Sequence, residues 1–218
     1  MNTNVLTHYL VSVPAIFIVI TIHEFTKAAV SSALGDVAPK NDGRLTLNPI
    51  KHFEPVGFIF LLFMGFGWGK PVRTSSVYYK NRTSGTVLTY TMPIIANLIF
   101  SFIFALCSGA VVVMTYRLNI GIESAEFIRD FFGAFFGALV QFNLSLAFFN
   151  IIPVAPLCGN KIMTALMSPN QALRVTHYEK IFQIILVMLL FFGIVGQVLS
   201  PLIVGVIDFY NFIISLLL

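Results

Sequence analysis

The chain has 218 residues, of which 57% are hydrophobic and only 10% charged, with a mean hydropathy of +0.89. Soluble domains carry about 25% charged residues, so this composition excludes one and indicates an integral, multi-pass membrane protein. The net charge of +4 comes from Lys and Arg scattered among loops between apolar runs, which is no footprint for nucleic acid, and two cysteines make no disulfide framework.

Met1 to Ile22 holds no Asp, Glu, Lys or Arg and lacks the basic start and small-residue cleavage site of a signal peptide, so it reads as a retained first span. The helix is expected to run on to Leu34, with Gly35 as its stop and Pro14 as a candidate kink. Its lower end carries His23, Glu24 and Lys27 at i, i+1 and i+4, so His23 and Lys27 share a helix face and Lys27 lies one turn from Glu24. A carboxylate at the end of a spanning run is costly and usually has a task.

Asp36 to Glu54 is polar and turn-rich, and the alternation of Leu45 and Leu47 after Gly43 suggests a short strand over Arg44–Leu47. Val56 to Gly69 is uncharged but only 14 residues long, too short for a helical span and suited to a re-entrant segment. A basic loop with Lys70, Arg73, Lys80 and Arg82 follows; Trp68 beside it reads as an interface anchor. Thr83 to Tyr116 forms one long span around Pro93 and the buried small side chain of Cys107, and Arg117 to Asp130 a mixed-charge loop. Phe131 to Asn160 is uncharged again, but its end, through Pro153 and Pro156, cannot be regular helix. Lys161 to Lys180 reads as an interfacial connector. Ile181 to Leu218 supplies two further spans, split near Ser200-Pro201. The result is an all-α polytopic fold of about 5 spans with a short re-entrant and β-ribbon segment, a single domain over 1–218 with its core at 5–165 and C-terminal spans at 181–218. With the short segment dipping in and returning, 11 of the 13 Lys and Arg face the cytoplasm, and His23 and Cys158 meet near that face.

Three blocks carry a resemblance. His23-Glu24-Phe25 followed by Leu34-Gly35-Asp36, the segment Gly43 to Gly57 with Arg44, Leu45, Thr46, Leu47, Asn48 and Pro49, and Asn143 followed by Phe149-Asn150-Ile151-Ile152-Pro153-Val154-Ala155-Pro156-Leu157-Cys158-Gly159 together resemble the site-2 protease family of intramembrane zinc metalloproteases. Gly69-Lys70-Pro71-Val72 is similar to a further short family sequence. The resemblance implies zinc held by two His of HExxH and the Asp of LDG, with the motif Glu as general base. Carried over by position, His23 is the retained ligand and Glu24 the base, while Lys27 and Cys158 stand where the second His and the Asp would be. The resemblance further implies that Arg44 to Pro49, Asn143, Asn150, Pro153 and Pro156 grip substrate, extended backbone pairing with an unwound segment by strand addition. Thr91-Met92-Pro93-Ile94-Ile95-Ala96-Asn97 departs from the family pattern by one residue in the placing of its Asn.

Lysine is no ordinary zinc ligand, and its ammonium would occupy the place of the dication. With Lys27 (+1), Glu24 (−1), neutral His23 and thiol Cys158, the formal charge sums to zero, as it does when zinc faces two carboxylates. Two readings follow. In the first, the chain is a non-proteolytic relative with an idle Glu24 and no cofactor, binding membrane lipids and the transmembrane helices of substrate or partner proteins. In the second, it is a working intramembrane peptidase with zinc held by His23, Cys158 and a third group, His52 being the remote candidate. Blander readings stand beside these: a boundary ion pair with Lys27 snorkelling to the surface, His23 as a packing residue, a thiol pair of Cys158 with His23, and His8 and His177 at the surface. A transporter is disfavoured, since no repeat halves or paired broken helices are visible.

Overall fold

A computed structural model of the protein describes residues 3–117 and 122–217; the side chains of residues 3–8 and 122, His8 among them, lie outside that description. The described chain is helical, with nine helices and no strand among the described residues. α1 (Thr3–Ala33) runs unbroken through Pro14 and ends one residue before the expected Leu34, where Gly35 turns with φ +102°. α2 (Ala38–Asn41) is a single turn, and Pro49–His52 forms a 3₁₀ turn capped by Asn48. α3 (Pro55–Met64) is capped by the Glu54 carboxylate, which accepts from the Gly57 N–H, and is closed by Gly65 at φ +76°.

At 10 residues α3 is about 15 Å long, half the thickness of a bilayer's hydrocarbon core. The chain then turns back alongside it. A Cβ on Gly57 would lie 2.0 Å from the Trp68 carbonyl oxygen and one on Gly67 2.1 Å from that of Gly57, so two glycines let the two arms touch. The Lys70 N–H donates to the His52 carbonyl at 2.9 Å, which brings the returning arm to the level from which it left. Trp68 stacks on Phe60 within this hairpin.

α4 (Arg82–Arg117) and α5 (Ile122–Ile151) make the most extensive helix pair, and α1 packs against both. α6 (Cys158–Leu166) leans on α4, α7 (Pro169–His177) is exposed, and α8 (Glu179–Phe191) and α9 (Ile194–Leu217) complete the chain. One apolar cluster joins Ile16, Val19 and Ile20 of α1 to Leu61, Leu139 and Leu146; a second joins Leu144 and Phe149 of α5 to Leu190, Leu199 and Ile203. The outward faces carry large apolar side chains such as Ile99, Met114, Phe127 and Phe209, as a lipid solvent allows.

Among the described residues four helices are long and apolar enough to cross a membrane: Tyr9–Ala33, Arg82–Arg117, Glu123–Ile151 and Ile194–Leu217. About five were expected. The difference lies at the C-terminus, where the break falls at Phe192-Gly193 instead of Ser200-Pro201. Gly193 adopts φ +72° and ends α8 after 13 residues, while Pro201 is absorbed inside α9. The strand over Arg44–Leu47 is also absent: no neighbouring segment pairs with it, and Asn48 and Pro49 start a turn instead. The mixed-charge loop is shorter than expected, because Glu123, Glu126, Arg129 and Asp130 form the first turns of α5; residues 118–121 lie outside the described residues. Cys107 is half-buried on α4.

Candidate functional site

The site lies where the middle of α4, the lower end of α1, the end of α5 and the start of α6 converge. His23, Glu24 and Lys27 are 2%, 3% and 3% exposed, so Lys27 does not snorkel; it turns inward. Its ammonium donates to Glu24 Oε1 at 2.9 Å and sits 5.8 Å from the centre of the Tyr90 ring. The other carboxylate oxygen, Glu24 Oε2, accepts from the Val72 N–H at 2.9 Å. Val72 follows Gly69-Lys70-Pro71 on the returning arm of the hairpin. Both oxygens of the buried carboxylate are therefore engaged, one by a charge and one by the backbone.

A chain of amides orients His23. The Leu139 carbonyl can only accept, so Asn143 turns Nδ2 toward it at 2.7 Å and its Oδ1 toward Asn97. Asn97 Nδ2 donates to that oxygen at 2.8 Å and leaves Oδ1 facing His23 Nδ1 at 2.7 Å. His23 Nδ1 therefore carries the proton, and the lone pair of Nε2 faces the Cys158 thiol, 3.4 Å away. Cys158, fully buried, is the first residue of α6, and its N–H donates to Asn150 Oδ1 at 3.3 Å. Asn150 in turn is anchored by Nδ2 on the Leu146 carbonyl at 2.9 Å. Replacing Asn97 with Leu strands His23 Nδ1–H and Asn143 Oδ1, and is expected to lower stability by about 2 kcal/mol. Thermal unfolding in detergent checks this; an unchanged midpoint would mean that the chain of amides does not hold the ring.

The other expected site residues separate into two sets. Asn143 and Asn150 are buried in the chain just described, while Pro153 and Pro156 are exposed on the connection from α5 to α6. Leu45, Leu47 and Ile50 project from the loop before α3 at 39%, 67% and 74% exposure. Arg44 lies inside instead: it is 6% exposed and donates to the Lys70 carbonyl, tying the loop before α3 to the hairpin's returning arm. His52 is fully buried, but its ring is committed elsewhere: Nε2–H donates to the Thr46 carbonyl at 2.8 Å and Nδ1 faces Arg44 at 3.4 Å.

Burial, with the Arg44 guanidinium beside it, holds the His52 imidazole below its ordinary pKa. The unfolded chain binds a proton at this residue near pH 6.5 and the folded one resists it, so stability is present above that pH and falls below it. Melting in detergent is expected to drop between about pH 7 and about pH 5.5, with a flatter profile for His52→Gln. An identical slope in the variant would remove His52 as the cause.

Asn97 was legible only as an odd spacing near Pro93 and Val72 only as the last residue of the short Gly69-Lys70-Pro71-Val72 resemblance, while Tyr90 gave no signal at all. A second polar cluster also escaped the sequence. Asp36 accepts from Ser31 Oγ, Ala38 N and Ser75 N at 2.7 to 2.9 Å, and Ser31 meets Tyr79 OH at 2.7 Å. It fastens the end of α1 to the loop leaving the hairpin.

Zinc needs three protein ligands around an open fourth position. Here one imidazole nitrogen and one thiol face each other at hydrogen-bond distance, Glu24 is held by an ammonium, and no group of three or more His, Cys, Asp or Glu among the described residues is placed to hold a metal. This donor set does not fit the ion.

The chain is 34% identical over 183 residues to "Putative zinc metalloprotease YwhC" of Bacillus subtilis (strain 168), an alignment covering 84% of this chain and 80% of that protein. The chain belongs to that zinc metalloprotease family. No family model matches it, and neither does any solved structure. The family's name thus rests on a metal, whereas this member presents Lys27 against its Glu24.

Proposed function

We propose that this chain is a non-proteolytic member of the site-2 protease branch of the family, in which a lysine ammonium replaces zinc as counter-charge to Glu24 and the scaffold binds transmembrane segments without cutting them. The observation that carries this reading is the Lys27–Glu24 pair at 2.9 Å, with the second carboxylate oxygen on Val72 N–H. A general base takes a proton from water more readily when no cation is paired with it; here the Lys27 ammonium holds one oxygen of Glu24 and the Val72 N–H the other. A gripping surface remains: Pro153 and Pro156 stand on the exposed connection after Asn150, beside a wholly apolar cleft of about 240 Å³ lined by Ile152, Val154, Phe182, Leu186 and Leu199. Leu45 and Leu47 are exposed on the irregular loop before α3 and offer apolar side chains to a membrane segment. The distribution of Lys and Arg favours the cytoplasmic face for the site.

Metal analysis of the detergent-purified protein, beside the Lys27→His, Cys158→Asp double variant, tests the reading. The expected result is no zinc in the natural chain and about one equivalent in the variant, which regains three ligands. Stoichiometric zinc in the natural chain, or cleavage of a membrane substrate that Glu24→Gln abolishes, would establish the working peptidase instead.

A further inference from the structure

α9 carries a polar stripe that the site does not use. Gln197, Ser200, Asp208, Asn211 and Ser215 recur at three- and four-residue steps or their sums, and at about 100° per residue they fall within roughly 80° of arc. All five are exposed, on a face turned away from the buried Val195, Leu199, Ile203 and Tyr210. Asp208 lies nine residues before the end of the helix, about 14 Å along its axis, well inside a hydrocarbon layer about 30 Å thick. Among the described residues neither Asp208 nor Asn211 makes a side-chain hydrogen bond or ion pair. Acids in spanning helices normally face the bundle or a water-filled cavity, and one that faces lipid unpaired is costly.

We propose that this face of α9 docks a transmembrane helix of a partner protein that presents a Lys or Arg to Asp208 at mid-depth in the bilayer. Charge complementarity selects the occupant. A second copy of this chain would enter the membrane in the same orientation, and a two-fold axis through this face would set Asp208 against Asp208. Phospholipid headgroups lie too far from this depth. Shape agrees with a helix: Asn211 borders a cleft of about 310 Å³ between α4, α5 and α9, walled by Ser108, Gly109 and Gly137, and a Cβ on Gly137 would meet nothing within 4 Å. Small residues of this kind let a neighbouring backbone approach closely. The proposal rests on the non-proteolytic reading only in taking a membrane segment as the partner.

The test uses the full-length protein in phosphatidylcholine vesicles with synthetic single-span helices of Leu and Ala, one carrying a central Lys, one a central Glu and one neither, their association read by energy transfer. The Lys helix is expected to bind at least about tenfold more tightly than the neutral one. Asp208→Asn is expected to erase that preference, and Asp208→Lys to transfer it to the Glu helix. Equal binding of the Lys and neutral helices, which needs no variant to observe, overturns the proposal; so does a preference that survives Asp208→Asn. Self-association that depends on Asp208, with no preference among the helices, would assign the face to a second copy and also overturn it. Cleavage of the bound Lys helix would sink the non-proteolytic reading and leave this contact standing, whereas a zinc-free protein indifferent to the helices would do the reverse.

Discussion

Lys27→Met is expected to prevent accumulation of folded protein. The substitution keeps most of the side-chain volume and removes the charge, leaving the Glu24 carboxylate 3% exposed with the Val72 N–H as its remaining partner. Breaking a buried pair from one side costs about 3–5 kcal/mol, much of the stability of an ordinary domain. The informative comparison is the double variant Glu24→Gln, Lys27→Met. The glutamine introduced there is neutral and its amide oxygen can still accept from Val72, so the double variant should recover most of the loss. Folded yield and thermal unfolding in detergent measure all three proteins. If Lys27→Met melts with the natural protein, the ammonium is not the counter-charge and the case for a replaced metal falls with it. A loss as large in the double variant as in the single would point to packing of the lysine stem rather than its charge.

Gly57→Ala is the second large effect expected. The new methyl would lie 2.0 Å from the Trp68 carbonyl oxygen and 2.9 Å from the carbonyl carbon, both backbone atoms of the returning arm. Backbone cannot rotate out of the way as a side-chain tip can, so the two arms must separate, at a cost of about 3 kcal/mol or more. The damage should reach the site, since that arm carries Val72 to Glu24 and the Lys70 carbonyl to Arg44. Gly133→Ala provides the contrast. A Cβ there meets nothing within 4 Å in the middle of a helix, so the change should be neutral or stabilising by up to about 1 kcal/mol. Equal melting of the two variants would mean that the hairpin's arms do not touch as described.

What the sequence revealed and what it hid divide along physical lines. Charge placement and chemical identity are local, so the Glu24–Lys27 spacing, the shortness of the run from Val56 to Gly69 and the meeting of His23 with Cys158 were open to a reading of residues alone. Fates decided by tertiary partners were not. Leu45 and Leu47 alternate as a strand should, but no segment pairs with them. Arg44 sits in a motif expected at a surface, yet the Lys70 carbonyl and the His52 ring draw it inside. Pro201 looked like the break in the C-terminal run, but a spanning helix can absorb a proline, and the left-handed Gly193 supplied the turn. Asn97 shares a cluster with His23 although 74 positions separate them, a distance no local pattern bridges.

The amide relay from Leu139 bears on what kind of acid or base His23 can be. A peptide carbonyl cannot become a donor, so neither Asn143 nor Asn97 can reverse without stranding a partner, and the proton on Nδ1 has no carboxylate to stabilise it. In hydrolases whose imidazole passes protons along, an anion on the far nitrogen steadies the ring when it is doubly protonated. This ring has an uncharged amide there, and the Lys27 ammonium of the same helix is paired with Glu24. The arrangement favours a ring that receives a hydrogen bond at Nε2 and lacks the anion on its far nitrogen that would steady a second proton.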